Sequence, residues 1–296
     1  VILSASRRTD IPACYSDWFF NRVKAGFALV RNPFFPVRIS RVSLAPEDVD
    51  CIVFWTKNPA PMLGRLGELE RAGLPFYFQF TLTPYGGGLE RSLPPKREIV
   101  ETFRRLSRAV GPERVVWRYD PVICTPELTP AWHLRQFARL CGALEGCTRE
   151  CVFSFLDLYA KTRRNTAGLG LHPVPPAVME HVAAGFAETA ARHGLTLRAC
   201  CESIDLARYG IRPGACIDAE KIESITGRPL RLRRDRGQRP GCNCAESVDI
   251  GAYDTCRNGC VYCYATDPRR AAGRAARHDP RSPLLDGRPP KAAGAS

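Results

Sequence analysis

A chain of 296 residues, 45% of them hydrophobic, suffices for one main domain, because a (β/α) barrel takes about 250 residues, and no apolar run approaches the roughly 20 residues of a membrane helix. Fourteen cysteines in so large a chain, with residues 1–6 too short for the apolar part of a secretory leader, exclude a small disulfide scaffold and predict a reducing, cytoplasmic setting. The net charge of +13 is uneven: residues 228–239 hold six Arg against one Asp, and residues 264–296 hold seven basic against three acidic residues.

In chain order, short apolar, β-branched or aromatic runs predict strands at 1–5, 51–56, 76–82, 114–119, 150–156 and 195–199. Helical patterns lie between them at 15–25, 96–109, 130–144 and 176–193. Runs at 28–30 and 37–42 flank Asn32-Pro33-Phe34-Phe35-Pro36 and predict a hairpin insertion. Strand–helix alternation means parallel strands, so the expected class is α/β, a partial or full (β/α) barrel of TIM type with a C-terminal cysteine-rich segment. The expected organisation is a barrel-like domain at 1–227, a basic linker at 228–241, a cysteine-rich segment completing the barrel at 242–266, and a disordered basic tail at 267–296. The linker and tail charges read either as solvated surface or as a phosphate-binding face, so nucleic acid is a possible but not a favoured partner.

Polar residues recur where the predicted strands end, which in a parallel barrel is the ligand-binding rim. They include Asp10, Lys57, Thr83, Arg118, Asp120, Asp157 and Glu202. Unpaired charges in a dry core cost several kcal/mol, so as a set they point to a polar site.

The run Cys256-Arg-Asn-Gly-Cys260-Val-Tyr-Cys263 sets three thiols at C-x3-C-x2-C spacing, suited to soft-metal chemistry with iron–sulfur or zinc. Spacing and the aromatic Tyr262 resemble the cluster motif of radical S-adenosylmethionine (SAM) enzymes. The resemblance implies that Cys256, Cys260 and Cys263 hold a [4Fe-4S] cluster whose fourth iron takes SAM, reduced by a donor such as a flavodoxin or ferredoxin. It implies SAM contacts from Tyr262, Arg7, Arg8, Asp10 and Thr83, and an unknown polar substrate oriented by Lys57, Arg118, Asp120 and Asp157. The strings SRRTDIP, FWTKNP, WRYDP and DIGAYDTCRNGCVYCYA also resemble an uncharacterised bacterial family of domain-of-unknown-function proteins.

In radical SAM enzymes the triplet follows the first strand, whereas here it follows all the others. A circular permutation accounts for this if 247–253 acts as the first strand and 1–5 as the second. Ser6-Arg7-Arg8-Thr9-Asp10 then stands where that family has Gly-Gly-Glu for the SAM amino group. Asp10 could accept from an ammonium and Arg7 or Arg8 pair with a carboxylate. Cys201, Cys216, Cys242 and Cys244 are expected to hold a second iron–sulfur cluster, the competing arrangement being zinc on Cys242, Cys244, Cys260 and Cys263. The remaining cysteines read as small buried hydrophobes, and five unpaired histidines argue against a histidine metal site. The leading expectation is a radical SAM-like enzyme. The alternatives are a zinc-stapled nucleic-acid-binding protein and a SAM-independent iron–sulfur redox protein.

Overall fold

The structure, a computed structural model, describes residues 1–239 and 241–289. Strand β1 (Ile2–Ala5) is buried throughout and leads into α1 (Ile11–Cys14) and α2 (Ser16–Ala25). The expected insertion follows as an antiparallel hairpin, β2 (Phe27–Arg31) with β3 (Ile39–Ser43). The alternating part comprises β4 (Cys51–Thr56), α3 (Leu66–Arg71), β5 (Phe76–Thr81), α4 (Lys96–Val110), β6 (Val115–Val122), α5 (Pro130–Ala143), β7 (Glu150–Phe155), α6 (Ala160–Asn165), α7 (Pro176–Arg192) and β8 (Thr196–Ala199). Two-residue strands β9 (Arg212–Pro213) and β10 (Val248–Asp249), with α8 (Ala219–Thr226) and α9 (Pro268–Ala275), complete it.

Eight strands form one sheet in the order β10-β1-β4-β5-β6-β7-β8-β9, and every neighbouring pair is parallel. The sheet therefore begins with a strand from the end of the chain, paired to the strand at its start. Successive side chains of a strand point to opposite faces. One face, including Ile52, Phe54, Phe76, Phe78, Phe80, Trp117 and Phe153, packs under the helices. Helix α4 meets it with Ile99, Phe103 and Leu106, one stripe at i, i+4, i+7. Burying each such side chain contributes about 1.5–3 kcal/mol.

The opposite face, with Ile2, Val53, Tyr77, Val116 and Val152, is covered instead by Cys216, Ile217, Cys242, Cys244 and Ala245. The arrangement is consistent with a partial barrel, but closure into a full one is not seen among the described residues. Strands β9 and β10 stand at opposite edges of the sheet, and a hydrogen bond from Ala245 N to Ile217 O (3.0 Å) joins the segment after β9 to the segment before β10.

The tail departs from expectation. Residues 267–289 fold back rather than remaining disordered, and residues 290–296 lie outside the described residues. Asp267 caps α9, Leu284 and Leu285 are buried, and the indole of Trp18 donates to Ser282 O (2.9 Å). Two leucines and a buried N–H needing an acceptor outweigh the segment's low hydrophobicity. The linker is also held, apart from Pro240, which lies outside the described residues. Arg228 pairs with Asp50, Arg234 Nε donates to Cys242 O (2.7 Å), and Arg239 pairs with Asp157. Three of its six arginines thus have internal partners. No helix among the described residues is long and apolar enough to cross a membrane.

Candidate functional site

The C-terminal ends of the strands open into a cavity of about 550 Å³, within the usual range for small-molecule sites. Its walls combine the loop after β1 (Arg7, Arg8, Thr9, Asp10), the end of β4 (Trp55, Lys57), the end of β6 (Arg118, Asp120) and the end of β7 (Ser154, Asp157). Cys256, Cys260 and Cys263 line it as well, and so do Cys200, Cys201, Cys216, Cys242 and Cys244. Residues separated by most of the sequence are therefore brought to one space. Three lining residues carry a buried polar atom with no hydrogen-bond partner among the described residues: Thr9 Oγ1, Trp55 Nε1 and Thr266 Oγ1. Such atoms are uncommon in a folded protein, and here they mark a place where a polar ligand would find partners.

The triplet loop is held by backbone pairing. Residues 258–261 run antiparallel to 89–92, with Val261 N to Leu89 O (3.0 Å), Arg91 N to Gly259 O (3.3 Å) and Ser92 N to Asn258 O (3.2 Å). Gly259 is required there: its φ is +69°, and a Cβ would lie 2.8 Å from Ser92 Oγ and 3.3 Å from Ser92 N. The pairing buries Glu90, whose carboxylate accepts from Lys57 Nζ (2.7 Å), Thr83 Oγ1 (2.8 Å), Lys96 and the Tyr262 hydroxyl. Burial opposes the charge of Glu90, but the two lysines outweigh it and hold the carboxyl at about 2. Burial likewise acts against the charge on both lysines. Lys57 nonetheless ends above its ordinary value through Glu90 and Cys260, whereas Lys96, which Lys57 also repels, ends below.

Asp10 is tied on both sides of the site. Its Oδ1 caps α1 at Ala13 N (2.9 Å), and its Oδ2 accepts from Lys57 N and Asn258 Nδ2, both at 2.7 Å. Burial raises this carboxyl, against hydrogen bonds that favour the charged form. Its oxygens are thus engaged in joining three loops, which makes Asp10 a positioning residue. Thr83 does not line the cavity and stands behind Glu90. Arg7 lies 5.6 Å from the Trp55 ring centre and Arg8 5.4 Å from that of Tyr253, both beside the cavity. Asp249 of β10 fixes this loop by accepting from Ser4 Oγ (2.8 Å), Ser6 Oγ (2.7 Å) and Arg7 N (2.8 Å).

Arg118 is 3% exposed and its guanidinium is heavily engaged. It bonds Asp120 through Nε (3.1 Å) and Nη2, and Gln79 Oε1 (3.3 Å) and Cys216 Sγ (2.9 Å) through Nη1. Four of its five N–H groups are thus committed, so it orients Asp120 and the Cys216 sulfur. Asp120 also accepts from Ser154, and Arg118 overcomes the burial that would raise it, keeping it below the usual carboxylate range. Glu202 accepts from Phe155 N (2.8 Å), and burial, with Asp157 and Asp120 nearby, lifts it to about 7.

The other cysteines divide differently from the expected set. Cys200 Sγ is 3.4 Å from Cys216 Sγ, Cys216 N donates to Cys244 Sγ (3.2 Å), and Cys242 packs in the same buried cluster as Cys216 and Cys244. Cys200, one residue before the expected Cys201, makes the contact with Cys216. The four proposed zinc ligands fall into two places: Cys242 and Cys244 pack with Cys216, whereas Cys260 packs with Tyr85, Ile123 and Tyr262, and Cys263 stays beside it through a hydrogen bond from Cys263 N to Cys260 O (3.2 Å). Among the described residues no three histidine, cysteine or carboxylate side chains converge as ligands of one ion. Cys14, read as a small buried hydrophobe, is only half-buried and stands beside the triplet loop, its thiol donating to Asn258 Oδ1 (3.9 Å).

The main residue not anticipated is Glu90. In the sequence it is a lone acidic residue after three glycines, Gly86-Gly-Gly-Leu-Glu90, outside the set of strand-end charges. Among curated proteins none matches the chain. The described cavity and its cysteines lie almost wholly within residues 2–265, which match the model of the family described as Domain of unknown function (DUF1848), and the chain belongs to that family.

Proposed function

We propose that this protein is a radical SAM-like iron–sulfur enzyme acting on a polar substrate. The observation that carries the reading is the joint lining of one cavity by Cys256, Cys260 and Cys263, by charged strand ends, and by three buried polar atoms that have no partner among the described residues. Three thiols rather than four leave a metal position open to an exchangeable ligand. The parallel pairing of β10 with β1 supports the permuted order, because it sets the strand before the triplet beside the first strand of the chain.

A [4Fe-4S] cluster with SAM, when bound, would supply one-electron reductive cleavage of the sulfonium and a carbon radical able to abstract hydrogen; the electron would come from a flavodoxin- or ferredoxin-like donor. The chain's own residues do the rest. Cys256, Cys260 and Cys263 hold the metal, while Asp10 and Asn258 lock the triplet loop to the ends of β1 and β4. Glu90 fixes Tyr262 and Lys57 beside the thiols. Arg7 and Arg8 offer guanidinium groups to a carboxylate, and Thr9 and Thr266 offer hydroxyls. Asp120 and Ser154, across the cavity, contact the substrate's polar groups, and the Asp157–Arg239 pair stands at the outer wall.

The test is anaerobic reconstitution, reduction with dithionite and addition of SAM. 5′-Deoxyadenosine should form and should be absent in Cys256→Ala, Cys260→Ala and Cys263→Ala. A protein that carries stoichiometric zinc, takes up no iron and leaves SAM intact would replace this reading with the zinc-stapled one.

A further inference from the structure

Four cysteines outside the triplet come from three separate segments: Cys200 after β8, Cys216 after β9, and the Cys242-Asn-Cys244 turn before β10. Their side chains gather at one wall of the cavity. Cys200 and Cys216 are 3.4 Å apart at sulfur, Cys216 N donates to Cys244 Sγ at 3.2 Å, and Cys216, Cys242 and Cys244 pack in one buried cluster. All four line the cavity, and none is in a disulfide. The backbone is bent to bring them there: Cys201, directly after Cys200, has φ +58°, and Gly241, directly before Cys242, has φ +84°. A left-handed conformation at a non-glycine residue costs about 1–2 kcal/mol, so the bend at Cys201 is held by its surroundings.

Two thiolates on one tetrahedral metal atom, each about 2.3 Å from it, have sulfurs about 3.8 Å apart. The Cys200–Cys216 contact is close to that spacing, as expected of two ligands of one atom. Among the described residues no three thiols converge on a single point, as a mononuclear zinc site would require. One pair at this spacing, with the Cys242-Asn-Cys244 pair packed beside it, matches a centre with two metal atoms, each held by two cysteines and joined by bridging sulfides. Two N–H groups are already aimed at the sulfurs. Arg118 Nη1 donates to Cys216 Sγ at 2.9 Å and Cys216 N to Cys244 Sγ at 3.2 Å. Such bonds, with a buried cation, stabilise an anionic cluster and raise its potential.

We infer that Cys200, Cys216, Cys242 and Cys244 form a second metal site that takes a [2Fe-2S] cluster, facing the triplet across the shared cavity. Cys201 lines the cavity but is not a ligand. Through Arg118 the site is joined to Asp120 at the neighbouring wall.

The experiment uses the full chain with Cys256→Ala/Cys260→Ala/Cys263→Ala, reconstituted anaerobically with ferrous iron and sulfide. About two irons and about two acid-labile sulfides per chain should remain, with an S = 1/2 resonance on reduction. On that background Cys200→Ala should lower bound iron at least about fivefold, as expected for loss of one of four ligands, whereas Cys201→Ala should leave it unchanged. No iron, a single zinc, about four irons, or equal loss in the two variants would overturn the inference. Should the variants fail to fold, Mössbauer spectra of the unsubstituted chain decide: a two-iron component with about one third of the iron is expected, and a single four-iron component contradicts it. If the triplet proves empty, the two-iron component should account for all of the iron, so the two readings fail separately.

Discussion

Replacing Glu90 by glutamine keeps the side chain's shape and removes the charge that Lys57, Lys96, Thr83 and Tyr262 all face. Glu90 is fully buried at its side chain, while those of Lys57 and Lys96 are 13% and 19% exposed. Holding the carboxyl at about 2 instead of 4.5 corresponds to roughly 3 kcal/mol at about 1.4 kcal/mol per unit. Breaking one side of a buried ion pair costs about 3–5 kcal/mol by a separate route, and the partial access of both lysines to water favours the lower end. Glu90→Gln should therefore lose about 3 kcal/mol in urea unfolding at neutral pH and lower Tm by roughly 6 °C. Adding Lys57→Met should restore at least about 1 kcal/mol, because it removes the uncompensated cation. The folded carboxyl lies below its unfolded value, so its contribution is complete above about pH 4.5 and is lost as acid approaches pH 2. Wild type should show that acid slope and Glu90→Gln should lack most of it. A variant within about 1 kcal/mol of wild type, with the same acid slope, would refute the assignment of Glu90 as the buried anchor of this wall.

Gly259→Ala should cost about 2 kcal/mol and impair iron uptake at the triplet, because a left-handed φ and the 2.8 Å approach to Ser92 Oγ act together; Gly88→Ala, with open space around it, should change stability by less than about 0.5 kcal/mol. His133, buried between the Tyr119 hydroxyl (2.8 Å) and Ile123 O (2.9 Å), is pushed down by burial to about 4. The folded protein resists protonating it, so roughly 3 kcal/mol of stability present above pH 6.5 should fade between pH 6.5 and 4, and thermal unfolding of His133→Gln across that window should show a flatter profile. Leu285→Ala should cost about 2–4 kcal/mol, measurable in urea, as for a core leucine and unlike a residue in a disordered tail.

The long strands were legible because β4 and β5 are continuous apolar and aromatic runs, and both faces of their sheet are buried. β9 was not, because Arg212-Pro213 reads as a turn; β10 was expected at 247–253 beside the first strand of the chain, and pairs there over Val248-Asp249 alone. They are strands only because β8 and β1 offer edges to pair with. The triplet stood out through its spacing, and the strand-end charges through their repetition. The register of the last strands could not be read, and one residue of register separates Cys200, in contact with Cys216, from Cys201. Glu90 was hidden for another reason. Its burial is made by Lys57 from β4, Lys96 from α4 and Tyr262 from the far end of the chain, none adjacent to it in sequence. Tail burial rests on Trp18 and two leucines, too few to shift a composition-based expectation of disorder.

The central claim, that Cys256, Cys260 and Cys263 hold a SAM-binding iron–sulfur cluster, is tested most directly by electron paramagnetic resonance of the dithionite-reduced, reconstituted chain before and after SAM is added. A reduced-cluster signal whose shape changes on binding SAM, in a sample that then yields 5′-deoxyadenosine, is the predicted result. A signal unaltered by SAM and unaffected by Cys256→Ala/Cys260→Ala/Cys263→Ala, with no SAM cleavage, would contradict it.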